Sequence, residues 1–251
     1  MDLRTGTMIE KIGLLAALAL TSSCSSAPEV IGEAWAQAAD GKSAGNGPIV
    51  VELFQSQGCS SCPPANANVN ALAASRPDVL ALSLAVTYWD QLGWKDTFAQ
   101  PAFTERQRAY QRSGQSDGVY TPQVVINGRK ALVGADRGGL NRAVAAVGPL
   151  IGGPAIVRDA GGVTIGAGQG GSATVLVVTY DPRERAVPVK AGENNGRTLP
   201  HRNIVTGLRE AGVWTGKPLH VSVVAPKDPA LRTAVLLQKG AGGPILAAAR
   251  L

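Results

Sequence analysis

The sequence predicts an α/β domain over residues 48–150, followed by a β-rich, sandwich-like domain over residues 151–251. Three observations carry this reading. Apolar runs alternate with helix-like segments through the first half, joined by short loops. From Gly152 onward the chain breaks into short strand-like runs punctuated by glycine and proline. A third, uninterrupted apolar stretch stands alone near the N-terminus. Composition agrees: of 251 residues 45% are hydrophobic, 17% charged and 4% aromatic, which excludes a coiled coil and a wholly disordered chain. The 31 glycines and 16 prolines imply many turns. The net charge of +6 is dispersed, with no run of lysine or arginine, so a solvated surface is expected and no nucleic-acid partner.

Residues 1–23 read as a secretory leader. Arg4 and Lys11 precede the apolar run Ile12–Leu20, and small polar residues follow it. The run is shorter than the roughly 20 residues a membrane-spanning helix needs. Cys24 follows Leu20-Thr21-Ser22-Ser23, which makes it a candidate for lipidation; otherwise it remains in the tether, residues 24–47, rich in Ala, Gly and Ser. The leader carries two basic and two acidic residues, so its removal leaves the net charge at +6. No second segment approaches spanning length, and an exported protein of the periplasm or cell envelope is expected.

In the first half, Ile49–Phe54 reads as a buried strand and Ala65–Ala74 as a helix, with Pro63 and Pro64 in its first turn, where missing N–H groups do no harm. Asp78–Val86 reads as a second buried strand, Pro101–Arg112 as a helix, and Val124–Ile126 as a strand turning at Asn127-Gly128 into Arg129–Val133. Gly138–Val147 closes the half as a helix. Two strands joined through a helix run parallel and end at one sheet edge. The segment after the first strand, the loop Tyr88–Asp96 and the dipeptide Thr121-Pro122 therefore converge there. In the second half, strands are expected at Pro154–Asp159, Val163–Ala167, Ala173–Tyr180, Ala186–Lys190, Leu219–Val224, Ala234–Gln238 and Ile245–Ala249, with a helical turn at Ile204–Ala211.

The chemistry-bearing segment is Cys59-Ser60-Ser61-Cys62 at that helix start. A bridge across so short a loop stabilises little, so reactivity explains the pair better than stapling. A cysteine at a helix N-terminus meets unpaired N–H groups and the positive end of the dipole, which favour the nucleophilic thiolate. Cys59 is expected to be the exposed attacker and Cys62 the buried resolver. Zinc needs a second ligand pair, and only His201 and His220 remain, far along the chain. A copper(I) dithiolate stays open as an alternative cofactor; otherwise none is expected. Glu52, inside the first strand, reads either as a buried proton relay or as the end of a partly exposed strand, paired with a basic residue. Trp89 and Trp94, with Tyr88, read as a platform for a partner or as caps on the sheet edge. Gly192–Gly196 reads as a turn with a possible binding role.

The strand–CxxC–helix order together with Thr121-Pro122 resembles the thioredoxin superfamily. That resemblance implies a cis proline at Pro122 facing the cysteine pair and a substrate groove beside Thr121. Val51–Phe54 with Ser56–Pro64, Tyr88-Trp89-Asp90 with Leu92–Asp96, Arg106-Gln107, Thr121–Gln123, and Gly192–Asn194 with Gly196–Leu199 are similar to an uncharacterised exported family, domain of unknown function 1223. The chain departs from that family at Ala85 and Thr87, where the resemblance leads to His and Asp. The expected function is thiol–disulfide oxidoreduction with protein thiols of the cell envelope. Cys59 and Cys62 would exchange, Pro122 shape the groove and Glu52 relay protons. The alternatives are a copper(I) chaperone or sensor and a non-enzymatic envelope interaction module.

Overall fold

A computed structural model describes residues 47–251. The leader, Cys24 and all of the tether but its last residue lie outside the described residues. Strand β1 (Ile49–Gln55) leads through α1 (Cys62–Ser75) to β2 (Val79–Ala85), which pairs with β1 in parallel from Ile49↔Val79 to Gln55↔Ala85. Every residue of both strands is buried, because both sheet faces are covered, so the apolar runs do not alternate with polar residues. Helix α1 buries Ala65, Val69 and Leu72, one stripe at helical spacing. Helix α2 (Pro101–Arg112) follows, then β3 (Gln123–Ile126), β4 (Lys130–Leu132) and α3 (Arg137–Val147). Asn127 and Gly128, both at positive φ (49° and 61°), are the central residues of the turn between β3 and β4, closed by Arg129 N donating to Ile126 O at 2.9 Å. The Asp136 carboxylate caps α3, accepting from Gly138 N and Gly139 N at 2.9 Å each.

The second half supplies β5 (Ile156–Asp159), β6 (Gly162–Ile165), β7 (Ala173–Asp181), β8 (Arg185–Pro188), β9 (Thr198–His201), β10 (Ile204–Trp214), β11 (Leu219–Ser222), β12 (Arg232–Gln238) and β13 (Ile245–Arg250). Eight strands from both halves share one mixed sheet in the order β13-β12-β7-β10-β2-β1-β3-β4. Strands β11, β6 and β5 make a second, three-stranded sheet, and β8 and β9 pair only with each other.

This corrects the expected fold class. With thirteen strands against three α-helices among the described residues, the protein is mostly β. It is not a thioredoxin-like α/β domain with a separate sandwich attached. The overturning element is β10. Its Ile204, Leu208 and Ala211 mimic helical spacing, yet the segment is an eleven-residue strand, antiparallel to β7 and parallel to β2 at Ile204↔Ser83. Register shifts at Val205/Gly207 and Glu210/Gly212 put a glycine at each irregularity. That one strand stitches the halves together. Beside it, β9 (Thr198–His201) forms where no strand was expected.

The cores follow the sheet. One face of its central strands packs Val50, Phe54, Leu80, Leu82, Leu84, Leu176, Val178, Ala234 and Leu236 against Phe103 and Tyr110 of α2. This cluster runs across both halves. On the opposite face, Ile49, Val51 and Leu53 meet α1 and α3. Farther along, Val175, Val177, Val235 and Leu237 meet Val163 and Ile165 of the small sheet, with Trp214 buried among them and its indole N–H donating to Gly166 O at 2.9 Å.

Candidate functional site

Cys59 and Cys62 are joined as a disulfide, their Cα atoms 5.4 Å apart, at the C-terminal edge of β1. Cys62 is the first residue of α1, and Pro63 and Pro64 follow, so two of the four N–H groups that a helix start leaves unpaired do not exist here. Five other N–H groups of the segment are engaged. Gln57 N donates to Asp96 Oδ2 (2.6 Å), Gly58 N to Ser56 Oγ (3.0 Å), Cys59 N to Ser56 O (3.2 Å), Cys62 N to Cys59 O (3.2 Å) and Ser60 N to the Glu193 carboxylate (3.0 Å). The Cys59 sulfur has Ser61 Oγ 3.3 Å away.

Both cysteines are 0% exposed, so Cys59 is not the exposed attacker expected from its position ahead of a helix. A segment of the second half lies against this loop. The loop between β8 and β9 crosses the CxxC segment and fastens to its backbone. Asn194, itself 0% exposed, donates through Nδ2 to Gln57 O (2.9 Å) and Cys59 O (3.0 Å). Arg197 Nη1 fixes that amide by donating to Asn194 Oδ1 at 2.6 Å. Glu193 accepts from Ser60, and hydrogen bonding from Ser60 holds its carboxyl below the usual range. Gly192, at φ 70°, lies so close to the tryptophan loop that a Cβ there would come within 3.2 Å of Trp94 Cβ.

The Thr121–Pro122 peptide is cis. Pro122 directly precedes β3, whose Gln123 pairs with Phe54, so it lies at the same sheet edge as the disulfide loop. Trp89 connects the two: its indole N–H donates to Thr121 Oγ1 (2.8 Å), and its Cβ is 3.6 Å from where a Cβ on Gly58 would stand. Trp94 donates to Gln57 Oε1 at 2.9 Å. The buried Tyr88 hydroxyl faces Gln107 and Thr121 without a well-formed hydrogen bond, and burial raises its pKa. These five residues converge with the cysteines.

Glu52 does not. It shares the sheet face of Val50 and Phe54, on the side of α2 and opposite α1. At 1% exposure its carboxylate is occupied by Arg106, whose Nε (2.5 Å) and Nη2 (2.9 Å) both donate, and by the Tyr110 hydroxyl. Gln238 Oε1 takes a further donation from Arg106 at 2.9 Å. Glu52 is paired with a basic residue, but on a fully buried strand and not the partly exposed one expected with that pairing.

Two buried groups near the loop gain weight in the fold. Asp96 accepts from Gln57 N and Phe98 N, yet burial pushes its pKa up to about 6. His201 on β9 stands edge-on to Phe98, ring centroids 5.7 Å apart, with neither ring nitrogen partnered, and burial holds its pKa down at about 4. Among the described residues no group of three or more His, Cys, Asp and Glu side chains comes together to hold a metal, and no helix is long and apolar enough to cross a membrane.

Comparison with known proteins places the chain without assigning it a reaction. The crystal structure of protein AGR_C_4864 from Agrobacterium tumefaciens is 35% identical, with a TM-score of 0.65 over 84% of this chain and 96% of that one. HBP35 of Porphyromonas gingivalis, 11% identical with a TM-score of 0.51 over 84% of this chain and 76% of that one, is alike in fold alone. No curated protein matches the sequence. Residues 50–238 match the family model DUF1223, described as a protein of unknown function, and the chain belongs to that family.

Proposed function

We propose that the protein is an exported thiol–disulfide exchange protein acting through Cys59 and Cys62. The observation that carries this reading is the pairing of the chain's only two cysteines beyond the N-terminal segment, three residues apart, at the junction of a strand and a helix. A bridge over so short a loop adds little stability, so its chemistry is the better reason for it. In the exchange, a substrate thiolate attacks the Cys59 sulfur. The Cys59–Cys62 bond breaks, a mixed disulfide forms, and the Cys62 thiolate leaves. The substrate's second thiolate then attacks its own sulfur in the mixed disulfide. The substrate departs as a disulfide and Cys59 as a thiolate, and two protons taken from solvent complete the dithiol. Two electrons have passed from substrate to protein, and the reverse sequence reduces a substrate disulfide. Trp89 and Thr121, half-buried beside the loop and backed by the buried Pro122, are the surface such a substrate would meet.

The test is a redox titration of the folded chain in thiol–disulfide buffers, read by tryptophan fluorescence. Trp89 and Trp94 flank the loop, so a reversible two-electron transition is expected, and Cys59→Ser abolishes it. A pair that stays oxidised under strong dithiol while the chain remains folded contradicts the proposal.

A further inference from the structure

The disulfide loop is fastened to a piece of chain that lies over 130 residues away in sequence. Strands β8 and β9 form a hairpin that joins neither larger sheet. Two-stranded hairpins are marginal by themselves, so this one stays seated through what it touches. Its loop is shaped internally: Val189 N donates to Arg197 O, Gly196 N to Val189 O, Asn195 N to Gly192 O and Arg197 N to Asn194 O. What fastens it to the disulfide loop is Asn194 on two carbonyls and Glu193 on one N–H. The hairpin also buries His201, whose two ring nitrogens lack partners, a penalty on the seated state.

We infer that residues 192–197 are a latch over the Cys59–Cys62 disulfide, held by Asn194 and Glu193, and that exchange with a thiol requires the latch to lift. The inference rests on the exchange reading above and adds its regulation. While the latch is closed, both cysteines are shut from solvent, and Glu193 occupies the Ser60 N–H next to Cys59 with a negative charge. An attacking thiolate would approach against that charge, and a Cys59 thiolate would form beside it. Lifting the latch uncovers the disulfide, removes the carboxylate and frees the Gln57 and Cys59 carbonyls with the Ser60 N–H. Those are the groups an extended polypeptide carrying a cysteine can bond in the latch's place. The latch therefore competes with the substrate backbone for one set of hydrogen bonds.

Reduction by excess dithiothreitol tests this, followed by alkylation and mass analysis of the peptide carrying Cys59 and Cys62. Dithiothreitol supplies both electrons and ends as its cyclic disulfide. If opening precedes attack, the rate scales with the open fraction. Asn194→Ala removes two hydrogen bonds from the closed state only and should speed reduction about tenfold or more. Glu193→Ala, at an exposed position, leaves the fold intact and should speed it a few-fold. Val235→Ala loosens the core beneath the small sheet, remote from the latch, and should leave the rate unchanged. Equal rates in wild type and both latch variants overturn the latch while leaving the exchange reading intact. Acceleration by Val235→Ala equal to that of Asn194→Ala overturns it too, since global opening would then be the route. A pair that no folded variant allows to be reduced removes both readings.

Discussion

Acidification from pH 7.5 to 4.5 sets two buried groups against each other, and replacing either one unbalances them. His201 has a pKa of about 4 in the folded chain against an ordinary 6.5, because burial disfavours the imidazolium. Between those values the unfolded chain binds a proton that the folded chain refuses, so stability falls as pH falls. Asp96 behaves oppositely. Burial raises it to about 6 from 3.8, so between those values the folded chain holds a proton the unfolded chain lacks, and stability rises as pH falls. Over this pH interval His201 removes about 2–3 kcal/mol and Asp96 adds about 2 kcal/mol, so the wild type changes little on their joint account. Relative to wild type, His201→Leu should gain about 2–3 kcal/mol on acidification and Asp96→Asn should lose about 2 kcal/mol. Urea unfolding followed by tryptophan fluorescence at several pH values measures both. Comparing each variant with wild type at the same pH cancels the other titrating groups. A difference between His201→Leu and wild type that stays constant with pH would refute the assignment of a buried, neutral imidazole.

Two further outcomes follow from the geometry. Arg106→Met strands the buried Glu52 carboxylate and should cost about 3–5 kcal/mol in urea unfolding, and adding Glu52→Gln should recover part of that loss; a single-variant cost under about 1 kcal/mol would mean the pair is solvated. Gly192→Ala forces a Cβ toward Trp94 at a positive φ and should speed reduction of Cys59–Cys62 by dithiothreitol without lowering global stability by more than about 1 kcal/mol; an unchanged reduction rate would show that this close approach does not hold the loop down.

Much of the first half was legible because burial wrote it into local pattern. The apolar runs of β1 and β2 read as strands within two residues of their true ends, Pro101 opens α2, and Asn127-Gly128 turns the hairpin as the dipeptide demands. Seven of the second-half strands were readable from short runs between glycines and prolines, although β5 and β8 are largely exposed. Strand β10 was not, since Ile204, Leu208 and Ala211 satisfy a helical period and only a long-range partner decides the matter. That partner is β2, reached through the Ile204↔Ser83 bridge and the Ser83 N to Asn203 O hydrogen bond. Missing it hid the shared sheet. Cys59 and Cys62 were visible as a close pair from spacing alone, but their burial was not, and Asn194, which bonds the loop backbone beside them, reads locally as a turn residue. For Glu52 a usable signal existed: it keeps step with Val50 and Phe54, whereas Val51 and Leu53 take the α1 face. Alternation along β1 already separates it from the helix that carries Cys62.

The most direct test of thiol exchange is trapping. In a Cys24→Ser, Cys62→Ser chain, Cys59 is left without its resolving partner. Its thiolate should attack oxidised glutathione, forming a mixed disulfide and releasing one glutathione thiolate. The account predicts one glutathione per folded chain, located on Cys59 by peptide mapping. An adduct that forms only once urea has unfolded the chain would contradict it.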